Sequence, residues 1–586
     1  MEHFRTEEHT ADVCVIGGGL SGICAAVAAA RNGAKTVLMH DRPMLGGNAS
    51  SEIRMWVCGA NGKNNRETGI IEELMLENYY RNPYKNYSIW DSVMLELAWK
   101  EPNLQLLLNC SCLDGEMNGN RLKNIKGWQL TTQKYHKVSA AVFIDCSGDS
   151  VLAPITGAKY RTGREARNEF GESIAPENAD KKTMGLSCML QVRECAEKSD
   201  FIPPIFAEKL TKDNFRFSNP NLADDMENFW YLELGGTQNT IDDAESIRDR
   251  LIKTAYGTFD YLKNSSEQAQ KNGNYMLEWV GAIPGKRESR RYVGDYILTQ
   301  NDISSQTKFS DEIAYGGWTM DDHNPDGFDG TEPPNIHHPA PSPYGIPYRC
   351  IYSKNIDNLM FAGRNISVTH TAMSSTRVMA TCGLLGQAAG TAAAIAISDG
   401  ITPREVGKFT DKLQERLMRD DVWLPDIEKE TGELTQSAEL YSNMENAELL
   451  RNGKERQTGD DSNYAVGKGE CYAEYNFGKT VSIKTVRLVF DSDLNRETLP
   501  ERERKMNRAM VHNIHLDFPK SYLPKTLIKK FRIIFKTPHG EECVTVDNYH
   551  QRLFLLNKEI EAFAVRVILD ETHGLKEKHL FSFEVN

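Results

Sequence analysis

The sequence lacks an excess of basic residues. Its 586 residues include 69 Lys and Arg against 82 Asp and Glu, which leaves a formal net charge of -13. A nucleic acid or an anionic membrane surface would be repelled by such a chain. Basic residues are locally concentrated in residues 501–508, where they alternate with acids and predict a solvated loop. We therefore predict neither a nucleic-acid partner nor a membrane partner.

Long apolar segments are also missing. The first ten residues are charged and contain no apolar stretch of the kind found in a secretion signal. The longest apolar run, around residues 386–397, is rich in alanine and too short to span a bilayer. The twelve cysteines are scattered and form no C-x-x-C pair, so thiol-exchange redox chemistry is not expected. Scattered thiols favour a reducing compartment, and we predict a cytoplasmic protein.

Metal-ligand spacings such as H-x-x-x-H are absent too. Three histidines, His323, His337 and His338, occur near Asp321 and Asp322 in two polar, aromatic and glycine-rich stretches. Their spacing matches no established zinc motif, so we predict no metal. Polar, glycine-rich stretches of this kind are typical either of substrate loops or of solvated surface loops.

The first fifty residues contain a dinucleotide-binding pattern. Residues 11–16 form a short apolar run that predicts a buried parallel strand, and residues 23–31 are small and helix-forming. Between them, Gly17, Gly19 and Gly22 satisfy G-x-G-x-x-G. In that motif the first glycine permits the tight turn, the second admits the pyrophosphate, and the third lets the helix pack on the strand. The N–H groups at the helix start then face the phosphates.

The position that should bind the ribose hydroxyls departs from the usual acid. A second strand is predicted over residues 36–39, and its end should carry an Asp or Glu. By spacing that position is His40, and Asp41 follows it. Either side chain can accept a ribose hydroxyl, so both are predicted cofactor contacts.

Three further segments resemble the glutathione-reductase-like FAD proteins. They are the Leu-Gly-Gly of residues 45–47, the strand and small-residue turn of residues 140–149, and the Ala-Gly-Arg of residues 362–364. The chain also reads LGGNASSEIR from residue 45, RESRRYVGD from residue 287, and AGRNISVTHTA from residue 362. Over roughly residues 10–425 it therefore resembles the FAD dependent oxidoreductase family.

This resemblance implies FAD as cofactor and suggests further residues for its site. The implied cofactor contacts, besides those named above, are Arg42, Gly46, Gly47, Asn48, Ser51, Cys112, Gly148, Asp149, Gly363, Arg364 and Arg377. The catalytic candidates come from segments expected near the flavin ring. His370 is a candidate base or substrate hydrogen-bond partner, Arg290 and Arg291 are candidates to orient an oxygen-rich substrate or a loop carboxylate, and Tyr348 precedes the closing strand. For each arginine an ion pair that holds the cap to the FAD-binding domain is an equal alternative.

The predicted fold class is α/β, with three parts. A discontinuous Rossmann-like FAD-binding domain covers residues 1–160 and 346–425, and an inserted α+β cap covers residues 161–345. From residue 433 short β-like runs alternate with Gly, Asn and Asp turns, which predicts a β-sandwich over residues 433–586. The sandwich loosely resembles galactose-binding-like domains, with a ligand-free scaffold as the alternative.

The expected function is FAD-dependent oxidation of a hydroxylated small molecule by hydride transfer to flavin N5. A sugar or glycoside is the suggested substrate because of the resemblance of the sandwich, and the electron acceptor is not predicted. Two alternatives stay open: a lyase or hydrolase that oxidises its sugar transiently, and a non-catalytic carbohydrate-binding protein.

Overall fold

A computed structural model describes residues 4–500 and 509–586. Residues 501–508, which the sequence predicts to form a solvated loop, lie outside the described residues. The chain divides into two compact units. Within the described residues, the first unit contains residues 4–61, 84–417 and 509–519, and the second contains residues 62–83, 418–500 and 520–586.

The secondary-structure elements are numbered here in chain order. The helices are α1 Leu20–Arg31, α2 Ile70–Arg81, α3 Tyr87–Trp99, α4 Leu152–Thr156, α5 Arg167–Phe170, α6 Ala244–Asp260, α7 Gln300–Ser305, α8 His370–Thr376, α9 Met379–Asp399, α10 Pro403–Val406, α11 Thr410–Arg419 and α12 Glu433–Ser437. The strands of the first unit are β1 Thr6–Ile16, β2 Thr36–Met39, β3 Leu104–Leu107, β4 Cys110–Asn118, β5 Arg121–Gln129, β6 Lys134–Asp145, β7 Tyr160–Arg161, β8 Leu186–Ser187, β9 Leu190–Glu194, β10 Glu233–Leu234, β11 Tyr275–Val280, β12 Gly285–Lys286, β13 Arg291–Tyr292, β14 Glu312–Gly316, β15 Met320–His323, β16 Asn335–His338, β17 Tyr344–Pro347 and β18 Leu359–Phe361. Those of the second unit are β19 Glu439–Ser442, β20 Ala465–Lys468, β21 Cys471–Phe490, β22 Ile528–Thr537, β23 Gly540–Val546, β24 Leu553–Thr572 and β25 Glu577–Val585.

A parallel sheet is the centre of the first unit. Its strands lie in the order β3-β2-β1-β6-β18, and β5 and β4 extend it as antiparallel strands beside the first half of β6. The ends of β1, β2 and β6 are buried on both faces, which explains their continuous apolar runs. Because the strands are parallel, the carboxyl ends of β1, β2, β6 and β18 meet at one edge of the sheet.

Helices α1 and α9 pack against each other with almost no space between their backbones. A Cβ added at Gly386 would lie 2.0 Å from the Ser21 carbonyl oxygen, and one at Gly390 would lie 2.1 Å from that of Ala25. Glycine is therefore required at both positions. Among the described residues, α9 alone is long and apolar enough to cross a membrane, but 94% of its apolar window is buried inside the protein.

The inserted region consists of short strands around one long helix. The pairs β8–β10, β8–β12, β9–β11, β14–β17 and β15–β16 are all antiparallel. Helix α6 buries Ile247 and Leu251 against β8 and β10, which is why its apolar residues repeat with helical spacing. Residues 509–519 also belong to this unit, where Ile514 N–H donates to Val192 O at 3.0 Å.

The second unit is a β-sandwich built on one long antiparallel strand pair, β21 and β24. In one layer, the first half of β21 lies between β19 and the second half of β24. Beyond β24, the same layer continues with β22 and then β23. The second half of β21 pairs with β25, which continues to β20. The pairing of β21 with β24 shifts register between Asn476 and Thr485, where the two layers of the sandwich separate. Apolar side chains from both layers fill the core.

The predicted fold class is confirmed: a mixed α/β chain with a Rossmann-like parallel sheet and a C-terminal antiparallel sandwich. One segment joins the sandwich from far away in sequence. Helix α2 belongs to the second unit and contributes Leu76 and Tyr79 to its core. Arg496, which is fully buried, donates to both oxygens of Glu72 on this helix at 2.7–2.9 Å.

Candidate active site

The glycine turn lies at the carboxyl edge of the parallel sheet, where its glycines have distinct roles. Gly17 has φ +97°, and a Cβ there would lie 2.5 Å from the Cys146 carbonyl oxygen. A Cβ at Gly22 would lie only 1.8 Å from the Gly17 oxygen. A Cβ at Gly19 would meet only Gly47 Cα, at 3.9 Å, and Gly19 precedes helix α1 without any side-chain cap. The first turn of α1 therefore presents free N–H groups to an anionic ligand.

The Leu-Gly-Gly loop runs directly beside this turn. Gly46 N–H donates to Gly18 O at 2.8 Å, and Gly46 and Gly19 form a short parallel bridge. Gly46 and Gly47 both have positive φ, and a Cβ at Gly47 would lie 2.9 Å from the Gly19 Cα. Only glycine permits two backbones to lie this close.

His40 lines the cavity and also contacts the glycine turn. Its Nδ1 accepts the Gly18 N–H at 2.9 Å, and its Nε2 lies 3.0 Å from Met44 O. The residue is 3% exposed, whereas the side chain of Asp41 is 62% exposed. Asp41 is the more exposed of the two predicted ribose acceptors, and its Oδ1 lies 3.2 Å from His40 Nδ1; both residues line the cavity and stay predicted contacts.

The loops after β6 and β18 contribute further predicted contacts to the cofactor cradle, which is the set of residues predicted to hold FAD. Asp149 accepts from Arg364 at 2.9 Å, Lys286 at 2.7 Å and Ser289 at 2.8 Å. Burial would raise the pKa of Asp149, but the charges of Arg364 and Lys286 hold it below its ordinary value. The predicted contacts Gly148 and Gly363 adjoin this cluster, both with positive φ.

These groups surround one cavity of about 730 Å³ that lies within the first unit. Of the sixteen predicted cofactor contacts, fourteen line it; Gly22 and Ser51 do not. Three buried nitrogens in its wall have no hydrogen-bond partner among the described residues: Arg42 Nη1, Arg364 Nε and Arg377 Nε. Unpaired buried donors are costly, so a ligand rich in acceptor oxygens fits this cradle. FAD, with its pyrophosphate, ribose and ribityl oxygens, is such a ligand.

The four predicted catalytic residues do not reach the cavity. His370 lies 2.9 Å from Glu288 Oε2 and 3.1 Å from Asp322 Oδ1. Burial alone would lower the pKa of His370, but the two carboxylates raise it to about 10, so the ring is protonated at neutral pH. His370 does not line the cavity, and its roles as a base or as a substrate hydrogen-bond partner stay predictions.

The side chains of the other three predicted catalytic residues also contact groups of the protein itself. Arg291 is fully buried and pairs with Glu288 and with Glu165, whose oxygen lies 2.7 Å from Nη2. Arg290 Nη1 donates to Asp149 O at 3.3 Å, and the buried Tyr348 hydroxyl donates to Pro403 O at 2.6 Å. Arg291 therefore forms ion pairs, but both partners lie within the predicted cap and do not join it to the FAD-binding domain. Neither Arg290 nor Tyr348 lines the cavity.

A cluster of polar and aromatic side chains, here called the polar cluster, also lines the cavity. It comprises Trp230, Arg287, Trp318, Asp321, His323, Asn335, His337 and Arg377. His323 lies between Glu233 Oε2 (2.5 Å from Nδ1) and Asp321 Oδ2 (3.2 Å from Nε2). Strands β15 and β16 bring these groups together, since Asp321 and His337 are register partners. The sequence signal was present in the two polar, glycine-rich stretches, but periodicity alone does not show which residues face inward.

Charge is balanced by direct contacts in this cluster. Arg287 Nη1 lies 3.3 Å from Glu233 Oε2, and Arg377 Nη2 lies 3.2 Å from Asp321 Oδ2. Burial would raise the pKa of both carboxyls. In Glu233, Arg287 and His323 outweigh burial and lower the pKa, and in Asp321, His323 and Arg377 do the same. Both carboxylates are therefore charged at neutral pH, and the His323 ring can donate to both only when both of its nitrogens are protonated.

Fold and site together define a flavin-dependent enzyme of the Rossmann-like class. The model of the FAD dependent oxidoreductase family matches residues 12–417, which is more than half of the chain. The chain belongs to this family; it is an FAD-dependent oxidoreductase, and FAD is its cofactor.

Other comparisons show only distant similarity. No curated protein matches the chain. A geranylgeranyl bacteriochlorophyll reductase-like protein from Thermoplasma acidophilum is 13% identical, with a TM-score of 0.33 over 71% of this chain and 86% of its own. A Streptococcus pneumoniae fucose binding module is 11% identical, with a TM-score of 0.19 over 26% of this chain and 97% of its own. A family 32 carbohydrate-binding module from C. perfringens, solved with galactose, is 10% identical, with a TM-score of 0.18 over the same shares. These values are too low to assign a substrate or ligand.

Proposed function

We propose that this FAD-dependent oxidoreductase oxidises a small polyhydroxylated molecule, with a sugar or glycoside as the favoured substrate. The observation that carries the proposal is the composition of the cavity wall, in which two tryptophans and a cluster of polar side chains both take part. Apolar walls with a few convergent polar groups are typical of small-molecule sites. Trp230 and Trp318 offer flat faces to the apolar side of a sugar ring, while Asn335, His337 and Arg377 offer partners to its hydroxyls.

FAD held in the cavity would supply the hydride-accepting chemistry, and the chain must supply an acceptor for the accompanying hydroxyl proton. His337 is the residue that we assign to this role. Its Nε2 lies 3.1 Å from Asn335 Nδ2, its Nδ1 lies 3.0 Å from Thr319 Oγ1, and its side chain is 54% exposed. A ring that donates from Nδ1 to Thr319 accepts the Asn335 N–H on Nε2, and Nε2 can take the substrate proton once that bond gives way to the substrate hydroxyl.

Substrate orientation is assigned to Arg377 and Asp321. Arg377 Nη2 donates to the carbonyl and the carboxylate of Asp321, both at 3.2 Å, which holds the guanidinium in one orientation. Its Nε has no hydrogen-bond partner among the described residues. An oxygen of the bound molecule would fill that place, so Arg377 would hold the substrate or the flavin edge next to it.

The proposed cradle for FAD consists of the three motif glycines, the loop of Gly46 and Gly47, Asp41, and the cluster of Asp149 with Arg364. We further propose a cytoplasmic location, because all twelve cysteines are free thiols and eight of them are buried.

The test is an anaerobic screen of the purified yellow protein against sugars, polyols and amines. We expect one class of polyol or sugar to bleach the visible flavin absorption, and the bleaching should persist until an electron acceptor is added. Bleaching that reverses without an acceptor would indicate a transient redox cycle, as in a lyase or hydrolase. A colourless protein that releases no FAD on denaturation would refute the proposal and leave a binding protein.

A further inference from the structure

Two histidines and a glutamate lie together at the amino-terminal end of the parallel sheet, away from the cofactor cradle. They are Glu7 and His9 on β1 and His136 on β6. One ligand atom from each side chain lies within 4.8 Å of the others. Strands rise about 3.3 Å per residue, so His9 lies roughly 26 Å along β1 from Gly17.

The sheet itself brings the three side chains to one face. Glu7 and His9 are two residues apart on β1, so both point to the same side. Strands β1 and β6 are parallel neighbours in which Glu7 is the register partner of His136. The imidazoles contact each other directly, with His9 Nε2 2.9 Å from His136 Nδ1. Two nitrogens at this distance must share a proton, and a metal ion can take the place of that proton.

The second nitrogen of each imidazole ring, on the side away from the other histidine, contacts a glutamine side chain. His136 Nε2 lies 3.2 Å from Gln129 Oε1, and His9 Nδ1 lies 3.3 Å from the Gln105 amide. In metal sites, the second nitrogen of a ligand histidine is usually bonded to such an outer partner, which sets the tautomer and the ring orientation. The Gln129 contact leaves His136 Nδ1 with a lone pair for a metal. Gln105 presents its amide nitrogen to His9 Nδ1, so this amide must rotate and turn its oxygen to Nδ1 when His9 Nε2 binds the metal.

We propose that Glu7, His9 and His136 form a zinc-binding site that links the starts of β1 and β6. Two imidazoles and one carboxylate, with water as the fourth ligand, satisfy the tetrahedral geometry of zinc. Zinc–nitrogen bonds of about 2.0–2.1 Å set the two nitrogens about 3.3 Å apart, so the rings must separate by about 0.4 Å. His9 is half-buried at the sheet end, which leaves room for this movement.

Lys134 is the natural competitor of the metal. Its Nζ lies 3.4 Å from Glu7 Oε2, so an ammonium group already neutralises the carboxylate. The side chain is 35% exposed and long, so it can move into solvent when a divalent cation arrives. Removing this competing charge should strengthen zinc binding. The proposal therefore predicts one substitution that raises the affinity for zinc.

The experiment titrates zinc chloride into chelator-treated holoprotein without a histidine tag, with heat as the readout. We expect one equivalent to bind in the wild type, at least tenfold more weakly in His9→Ala and in His136→Ala, and more tightly in Lys134→Gln. His539→Ala removes an exposed histidine outside the cluster and should match the wild type. In each variant FAD content should be unchanged, which separates loss of the site from loss of the fold.

Copper(II) as a spectroscopic substitute should show two coordinated nitrogens by electron paramagnetic resonance, and one in His9→Ala. The proposal is overturned if zinc binds weakly at several sites, if it binds equally well in both histidine variants, or if Lys134→Gln leaves the affinity unchanged.

Discussion

Replacing Gly22 by alanine tests whether the close approach of α1 to β1 is what makes the dinucleotide cradle. The new Cβ would lie 1.8 Å from the Gly17 oxygen and 2.9 Å from its carbonyl carbon. Ordinary contacts between such atoms are more than 3 Å, so the turn must open by more than an ångström. Helix α1 cannot move away freely, because α9 packs against its other side through Gly386.

The expected magnitude follows from this overpacking. Extra atoms in a well-packed region typically cost about 1–3 kcal/mol. If the displaced turn holds FAD less well by that amount, the dissociation constant rises about 5- to 150-fold. Gly22 does not line the cavity, so this loss would come from the position of the backbone alone.

The assay is reconstitution of the flavin-free protein, with quenching of FAD fluorescence as the readout. Gly273→Ala is the matched control, because its Cβ would meet only the side chain of Lys198, at 3.4 Å. The control should bind FAD as the wild type does. An affinity of Gly22→Ala equal to that of the control would show that the turn tolerates a side chain and would refute the reasoning.

Three further predictions concern single side chains. Asp41→Asn should weaken FAD binding about 10- to 150-fold in the same titration, because a hydrogen bond to a charged acceptor contributes about 1.5–3 kcal/mol. His337→Gln should slow flavin bleaching by an active substrate about 10²- to 10⁴-fold while FAD content is unchanged, as loss of a general base does. Glu227→Gln should flatten the pH dependence of the urea midpoint between pH 4.5 and pH 7. Burial raises the pKa of Glu227 to about 7, so its contribution to stability is full below pH 4.5 and is lost as the pH rises through 7.

Each of these has a neighbouring control and a result that would contradict it. Asp114→Asn removes an exposed acid outside the cavity, and equal FAD affinities for it and Asp41→Asn would exclude the ribose contact. His338→Gln changes the adjacent histidine, which does not line the cavity, and should bleach at the wild-type rate. For Glu227, the exposed Glu177→Gln should retain the wild-type pH profile; a Glu227→Gln profile as steep as the wild type would show that the carboxyl is charged in the folded protein.

The cofactor cradle was predictable because its determinants are local. Positive φ, a tight turn and a close backbone approach each demand glycine at a specific position, so Gly17, Gly46 and Gly363 are visible in short stretches of sequence. The alternation of apolar strands with helices likewise indicates a parallel sheet, and the sheet brings the turns to one edge. The sequence by itself therefore determined the fold class and the place where a dinucleotide binds.

Tertiary structure alone decided which side chains face the cavity. His370 follows a predicted cofactor segment, but its ring contacts Glu288, 82 residues away, and does not line the cavity. His337 enters the cavity because β16 pairs with β15, and α2 joins the sandwich because its apolar face fits that core. The orientation of a side chain depends on neighbours brought together by folding, and the energy of those contacts is not encoded in any short stretch of the chain.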